Sequence, residues 1–368
     1  MIAPSSESCP PVLFVNSIKF WGGGEQWFLQ TAETLASRGY DVCVAGRRHG
    51  IFMERIRAVG LNTLPLRMAS DFSLPDYFKL RHWLMAHPNA RVLCNLSRDI
   101  RIAGAATRSC QSAKVFWIMG SILVRNRWRD RFWMRRFVDQ IVVPSHALAG
   151  ELGSLGFIAA EKITVLPIGL DLRKWNSDVR ETPAGLDPVE RGETRPTVGV
   201  FGRLETRKGH AVLLKAWTQI REVVPDVRLW IVGAGREEAA LKQLAQPIGD
   251  SVRFWGHQSD IRPIMQLVDV VVQPSLYEPF GITLIEAMAT AKPIVCTNVG
   301  GIPEVVDEHT AEIVPPHDPE SLARAVTGLL TEAERARAMG AAGRQRAAQH
   351  FSLELMINRF ESLIRGDR

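Results

Sequence analysis

Two glutamates, Glu278 and Glu286, stand eight positions apart on either side of Phe280-Gly281-Ile282. The run 268–273 before them is apolar and of strand length, 274–281 carries two prolines and a glycine, and 282–289 reads as a helix. Backbone N–H groups of Phe280, Gly281 and Ile282 then lie at a helix N-terminus. Unpaired donors and the positive end of the helix dipole favour an anion there, such as a diphosphate. Eight helical residues span at most about 12 Å, the length of a diphosphate with a sugar on either side. Glu278 can therefore accept hydroxyl hydrogen bonds from one sugar and Glu286 from the other, a ribose. The same two residues also fit a helix-capping carboxylate and a solvated helix charge.

A second loop offers the complementary charge. Thr197 to Gly202 reads as a strand ending in glycine, and Arg203, Lys208 and Gly209 follow before a helix that starts near His210. A guanidinium clamps a diphosphate bidentately and an ammonium adds a point charge, so Arg203 and Lys208 suit the same anion. Near the start, Gly22-Gly23-Gly24-Glu25 separates a strand at Val12 to Asn16 from an amphipathic helix at 25–38. This triple glycine lacks the G-x-G-x-x-G spacing of a dinucleotide site and on its own is a tight turn. No two aspartates are separated by one residue and nothing else has metal-ligand spacing, so no metal is expected. His146, His210 and His257 read as caps or packed polar residues.

Glu278-Pro-Phe-Gly-Ile-Thr-Leu-Ile-Glu286 resembles the E-x7-E motif of the retaining GT-B glycosyltransferases of family 4, and the likeness covers nearly the whole chain. The resemblance implies an α/β protein of two Rossmann-like doubly wound domains facing a cleft. Residues 1–172 would form the acceptor-side domain, 173–196 a linker, 197–351 the nucleotide-sugar domain, and 352–368 a helix crossing back to the first. It implies catalytic roles for Glu278, Arg203 and Lys208, and donor contacts from Gly23, Gly24, Phe280, Gly281, Ile282, Glu286, Phe254 and Gly256, the last two near the base. The implied reaction moves a sugar from a nucleoside-diphosphate sugar to an acceptor hydroxyl with retention. The acceptor would be a glycan or glycolipid, such as a lipid-linked or cell-surface glycan precursor, and neither cofactor nor metal is required. One departure stands out. Where relatives carry a His near the transferred sugar, this chain has Met119, within Phe116-Trp-Ile-Met-Gly-Ser121. A thioether accepts hydrogen bonds poorly and does not titrate. What the His does in relatives is then lost or supplied elsewhere, with Arg98, Asp99 and Ser121 as the candidates. The departure leaves open a protein that binds a nucleotide sugar without transferring it. A nucleotide-sugar epimerase shares the fold, and a basic lipid or nucleic-acid binder is the non-enzymatic alternative, although the motif itself calls for no nucleic acid.

Composition sets the frame for these elements. A chain of 368 residues, 46% apolar, supports two buried cores. Five scattered cysteines, odd in number and mostly in apolar runs, read as reduced core residues. With no basic segment leading into an apolar one at the start, and no run of eighteen apolar residues, a cytoplasmic location is expected, at most peripheral on the inner face of the membrane. The basic excess is N-terminal: 21 Lys and Arg against 13 Asp and Glu in residues 1–172, and 24 against 26 in the remainder. Six arginines (Arg125, Arg127, Arg129, Arg131, Arg135, Arg136) interleave with Trp128, Phe132, Trp133 and Phe137. That is the composition of an interfacial helix drawn to anionic lipid. A core helix with a basic solvated face, or a groove for an anionic acceptor, fits the same letters.

Overall fold

The structure is a computed structural model that describes residues 9–19, 21–68, 70, 73–110, 113–122, 124–176 and 195–366. The chain divides into two compact units, 1–168 with 355–368, and 169–354. The first break falls at Ile168/Gly169, slightly before the boundary read at 172. Most of the expected linker 173–196 lies outside the described residues, and its start is helical, Leu172–Asn176, with Trp175 buried.

Unit 1 is built on seven parallel strands: β1 (Val12–Asn16), β2 (Val42–Arg47), β3 (Asn62–Leu66), β4 (Arg91–Cys94), β5 (Lys114–Ile118), β6 (Gln140–Val143) and β7 (Ile163–Val165). Their order is β3-β2-β1-β4-β5-β6-β7. A parallel sheet covered on both faces calls for continuous apolar strands, and β1 is buried at every position. Side chains alternate between faces. Leu13 and Val15 join the core that contains Val92, Trp117 and Ile141, whereas the ring of Phe14 lies 5.4 Å from that of Phe28. The helix Leu353–Arg365 belongs to this unit from residue 355 and buries Met356, Ile357, Phe360 and Ile364. Phe360 meets Trp27 edge to face at 5.5 Å, and Glu361 pairs with Arg38.

Unit 2 repeats the plan with β8 (Thr197–Phe201), β9 (Arg228–Val232), β10 (Val252–Gly256), β11 (Val270–Gln273), β12 (Ile294–Thr297) and β13 (Glu312–Val314). The order is β10-β9-β8-β11-β12-β13, again all parallel. Val198, Val200, Leu229, Ile231, Val270 and Val272 line one core with Trp217. In each sheet the chain reverses its direction of winding at one place, between β1 and β4 or between β8 and β11. Crevices beyond the strand ends at such a point are where doubly wound sheets bind ligands.

Candidate active site

The β8/β11 switch point of unit 2 assembles most of the chemistry read from the sequence. After β8 the chain makes a single 3-10 turn, Thr206–Lys208, and leaves it through Gly209 at φ +69°. A Cβ on Gly209 would stand 1.7 Å from the carbonyl oxygen of Pro274, so only glycine lets the turn settle on the loop that follows β11. Two hydrogen bonds lace them together, Leu276 N–H to Arg207 O at 2.7 Å and Tyr277 N–H to the same oxygen at 3.2 Å. From the other side Gly301 N–H donates to Glu278 O at 2.9 Å. Glu278 thus sits between two glycine-bearing turns, the first bonded to Leu276 and Tyr277 before it and the second to its own carbonyl.

Its side chain, 9% exposed, is held as firmly. Lys208 Nζ donates to Oε2 at 2.5 Å, Gln273 Nε2 at 2.9 Å and Ser275 Oγ at 3.5 Å. All three bonds fall on one oxygen. Three residues later Gly281, at φ +106°, begins the helix Ile282–Ala289, which carries Glu286. Burial raises the Glu286 carboxyl to about 7, and the nearby charge of Lys208 pulls the other way. One ammonium therefore acts on both glutamates. His210, two residues after Lys208, opens the helix His210–Val223; it is 3% exposed, and among the described residues neither ring nitrogen has a hydrogen-bond partner. Burial, aided by Lys208, lowers it to about 4, so the imidazole is neutral. It is a packed residue, not a cap, since Gly209 occupies the cap position.

The remaining residues flank this centre. Arg203 does not touch Glu278: its guanidinium is largely exposed and pairs with Glu205 at 2.9 Å, as does Arg207 at 2.8 Å. Burial works to raise Glu205, but the hydrogen bond from Arg207 and the surrounding cations outweigh it and hold the carboxyl below its usual range. Phe280 is buried and Ile282 half-buried. Phe254 and Gly256 lie at the end of β10, two strand spacings or about 10 Å from β8. The ammonium of Lys242 lies 5.7 Å from the centre of the Phe254 ring. Gln273, which the sequence reading passed over, is a principal member of the site. Its signal was a polar residue closing a strand of three valines.

Residues 195–332 match the family described as Glycosyl transferases group 1, and residues 21–174 the one described as Glycosyltransferase Family 4. A GDP-mannose-dependent alpha-(1-6)-phosphatidylinositol monomannoside mannosyltransferase of Mycobacterium tuberculosis is 33% identical over 294 residues, covering 76% of this chain and 74% of that protein. This chain belongs to glycosyltransferase family 4. A glycogen synthase of the same species is 29% identical over 282 residues, 75% of this chain but 65% of that longer protein. The chain thus matches less than two thirds of that relative's length. Anabaena HepE, solved in complex with UDP-glucose, aligns with a TM-score of 0.82 at 19% identity, over 97% of this chain and 99% of that one. The likeness shows the GT-B fold.

In unit 1 of this family-4 chain, Gly23 and Gly24 are exposed in the first turn of the helix Gly23–Ser37. Glu25 beside them is buried and accepts hydrogen bonds from Asn16 Nδ2 at 3.2 Å and Asn95 Nδ2 at 3.0 Å, at the ends of β1 and β4. Burial raises its pKa against these bonds. Met119 follows β5 fully buried and donates its N–H to Val142 O at 2.9 Å, so it is a core residue. Of the three candidates to replace the His, Asp99 is also fully buried. It accepts from Leu96 N–H at 2.8 Å at the start of the helix Ser97–Arg108 and is raised to about 7 by burial. Arg98 and Ser121 are half-buried.

Proposed function

We propose that this family-4 chain transfers a sugar from a nucleoside-diphosphate sugar to an acceptor hydroxyl, with retention of anomeric configuration. The observation that carries the reading is the Glu278 carboxylate, hydrogen-bonded by Lys208 beside the N-terminus of the Ile282–Ala289 helix. Charge developing on the leaving diphosphate is met by Lys208, Arg203 and the N–H groups at that helix start, a fixed electrostatic environment that needs no rearrangement as the bond breaks. Glu278 accepts a hydroxyl of the transferred sugar and Glu286 one of the ribose. The reading gives no metal a part. A thermal-shift screen of nucleoside diphosphates, followed by turnover of the matching nucleotide sugars, tests it. Transfer with the donor's anomeric configuration kept, read by NMR, is expected. Binding without turnover, or an isomerised nucleotide sugar with no acceptor consumed, replaces the reading with a binding protein or an epimerase; an inverted product removes retention.

A second observation bears on the acceptor. In the helix Trp128–Phe137, Trp133 and Phe137 stack at 5.3 Å, with Phe137 buried against Gly104. Trp128 and Phe132 point the other way, 78% and 51% exposed, and exposed Arg129, Arg131, Arg135 and Arg136 share their side of the helix. Aromatic rings flanked by arginines suit the headgroup region of an anionic bilayer. No described helix is long and apolar enough to cross a membrane. The reading therefore places the chain peripherally on the cytoplasmic face, with a lipid-linked glycan precursor as acceptor. The name of the mycobacterial relative points the same way, since its acceptor is a phosphatidylinositol monomannoside. Co-sedimentation with anionic vesicles tests this placement.

A further inference from the structure

The three donors on Glu278 do different things. Lys208 brings charge, and Ser275 at 3.5 Å is a long contact. Gln273, a residue almost wholly buried (4% exposed), brings a neutral N–H from the last position of β11, a rigid element. The amide orientation is set by its partner, because the flipped form would put oxygen against carboxylate oxygen. Among the described residues the Gln273 Oε1 atom has no hydrogen-bond partner, so one end of a buried amide goes unsatisfied while the other holds Glu278. Gly281 closes behind it: a Cβ there would lie 3.5 Å from Gln273 Nε2. Among the described residues no side chain or backbone group donates to the second carboxylate oxygen, Glu278 Oε1.

We propose that Gln273 is a positioning residue that fixes Glu278 Oε2 and so presents Oε1 to the hydroxyl of the transferred sugar. The inference rests on the reading of Glu278 as a contact to that sugar. Being neutral, the Gln273 amide orients the carboxylate without competing with Lys208 for the diphosphate. The charged and titratable groups around it are Lys208, Glu278 itself, and, through Lys208, Glu286 and His210.

The test is steady-state release of nucleoside diphosphate from UDP-glucose and GDP-mannose, followed from pH 5.5 to 9 for wild type, Gln273→Met, Gln273→Glu and Glu278→Gln. Gln273→Met keeps the shape and loses the donor; kcat falls at least tenfold at every pH, with the donor KM within threefold of wild type because the nucleotide end is untouched. In Gln273→Glu two carboxyl groups meet across one hydrogen bond and share a proton. With that proton in place the introduced carboxyl donates as the amide does, so kcat at pH 5.5 is within about threefold of wild type. It then falls at least tenfold below wild type as the pH rises and the pair loses the proton. The ratio to wild type is the quantity read, which cancels the titration of Glu286. A residue that only filled space would give no pH-dependent rescue, and activity at low pH shows that the variant is folded. If Glu278→Gln is inactive while both Gln273 variants follow wild type in kcat and pH profile, the inference alone is overturned. If Glu278→Gln turns over normally, or wild type consumes neither donor, the reading of Glu278 is overturned and the inference with it.

Discussion

Glu278 is tied through one oxygen and its backbone, and the consequences of that are measurable. Glu278→Gln preserves the volume and removes the charge; turnover is expected to fall about a hundredfold or more, the scale on which a fixed active-site hydrogen-bonding group is lost, with the thermal midpoint within a few degrees of wild type. Lys208→Ala is expected to weaken nucleoside diphosphate binding by about 1.5–3 kcal/mol, the value of a charge-assisted hydrogen bond. Wild-type turnover in both variants would show that the donor lies elsewhere. Glu286 supplies a pH signature. Its carboxyl is raised to about 7 in the fold from an ordinary 4.5. Between those values the folded state holds a proton that the unfolded chain has released. Its contribution to stability is therefore greatest at low pH and is lost as the pH climbs through about 7. Asp99, also raised to about 7, adds in the same sense, while His210, lowered to about 4, works in the opposite sense between 4 and 6.5. Comparing variant with wild type isolates the Glu286 part: Glu286→Gln should gain stability relative to wild type between pH 5 and 8, and a constant difference would contradict the assignment. Both glutamates and Lys208 were legible as letters with spacing. Gln273 was not, because its role depends on a loop folding back across five residues, which no periodicity records.

At the scale of elements, strands and helices with a clear apolar run between glycines came out as read. Val12–Asn16, Asn62–Leu66 and Ile282–Ala289 agree residue for residue. The short helices Leu172–Asn176 and Ile302–Val305 did not, since four or five residues hold barely one turn and no period. The arginine-rich helix shows the same limit. Its two aromatic pairs were visible, but which pair faces inward is decided by Gly104, whose missing Cβ makes room for Phe137. Gly209 is the element-scale hinge of the site. Gly209→Ala imposes a left-handed alanine, about 1–3 kcal/mol, and a collision with Pro274 O. It is expected to lower the melting temperature and raise the donor KM by displacing Lys208. Gly39→Ala is the control: at φ +87° it suffers the same backbone strain with nothing within 4 Å. Equal donor KM values in the two variants would mean that the turn does not position Lys208.

For the whole molecule, charge and connectivity matter more than any single bond. The basic excess of residues 1–172 includes the four arginines beside exposed Trp128 and Phe132. Binding to vesicles is expected to rise with anionic lipid content, to weaken with salt, and to fall at least tenfold when Arg127, Arg129 and Arg131 are changed to Glu. Binding that ignores both salt and these substitutions would remove the membrane from the reading. The two-unit α/β plan was legible from alternating strand and helix signals, and the common strand order of the two sheets was not, because pairing joins segments dozens of residues apart. The return of the Leu353–Arg365 helix to unit 1 has a bearing on synthesis. The pocket that receives Phe360 and Ile364 is made by residues translated hundreds of codons earlier, so on the ribosome the N-terminal unit waits, its apolar flank uncovered, while the second unit emerges and folds. The unit whose strands are made first is therefore closed only once the helix Leu353–Arg365 has been made, and a chain stopped before residue 353 leaves the apolar flank of unit 1 exposed.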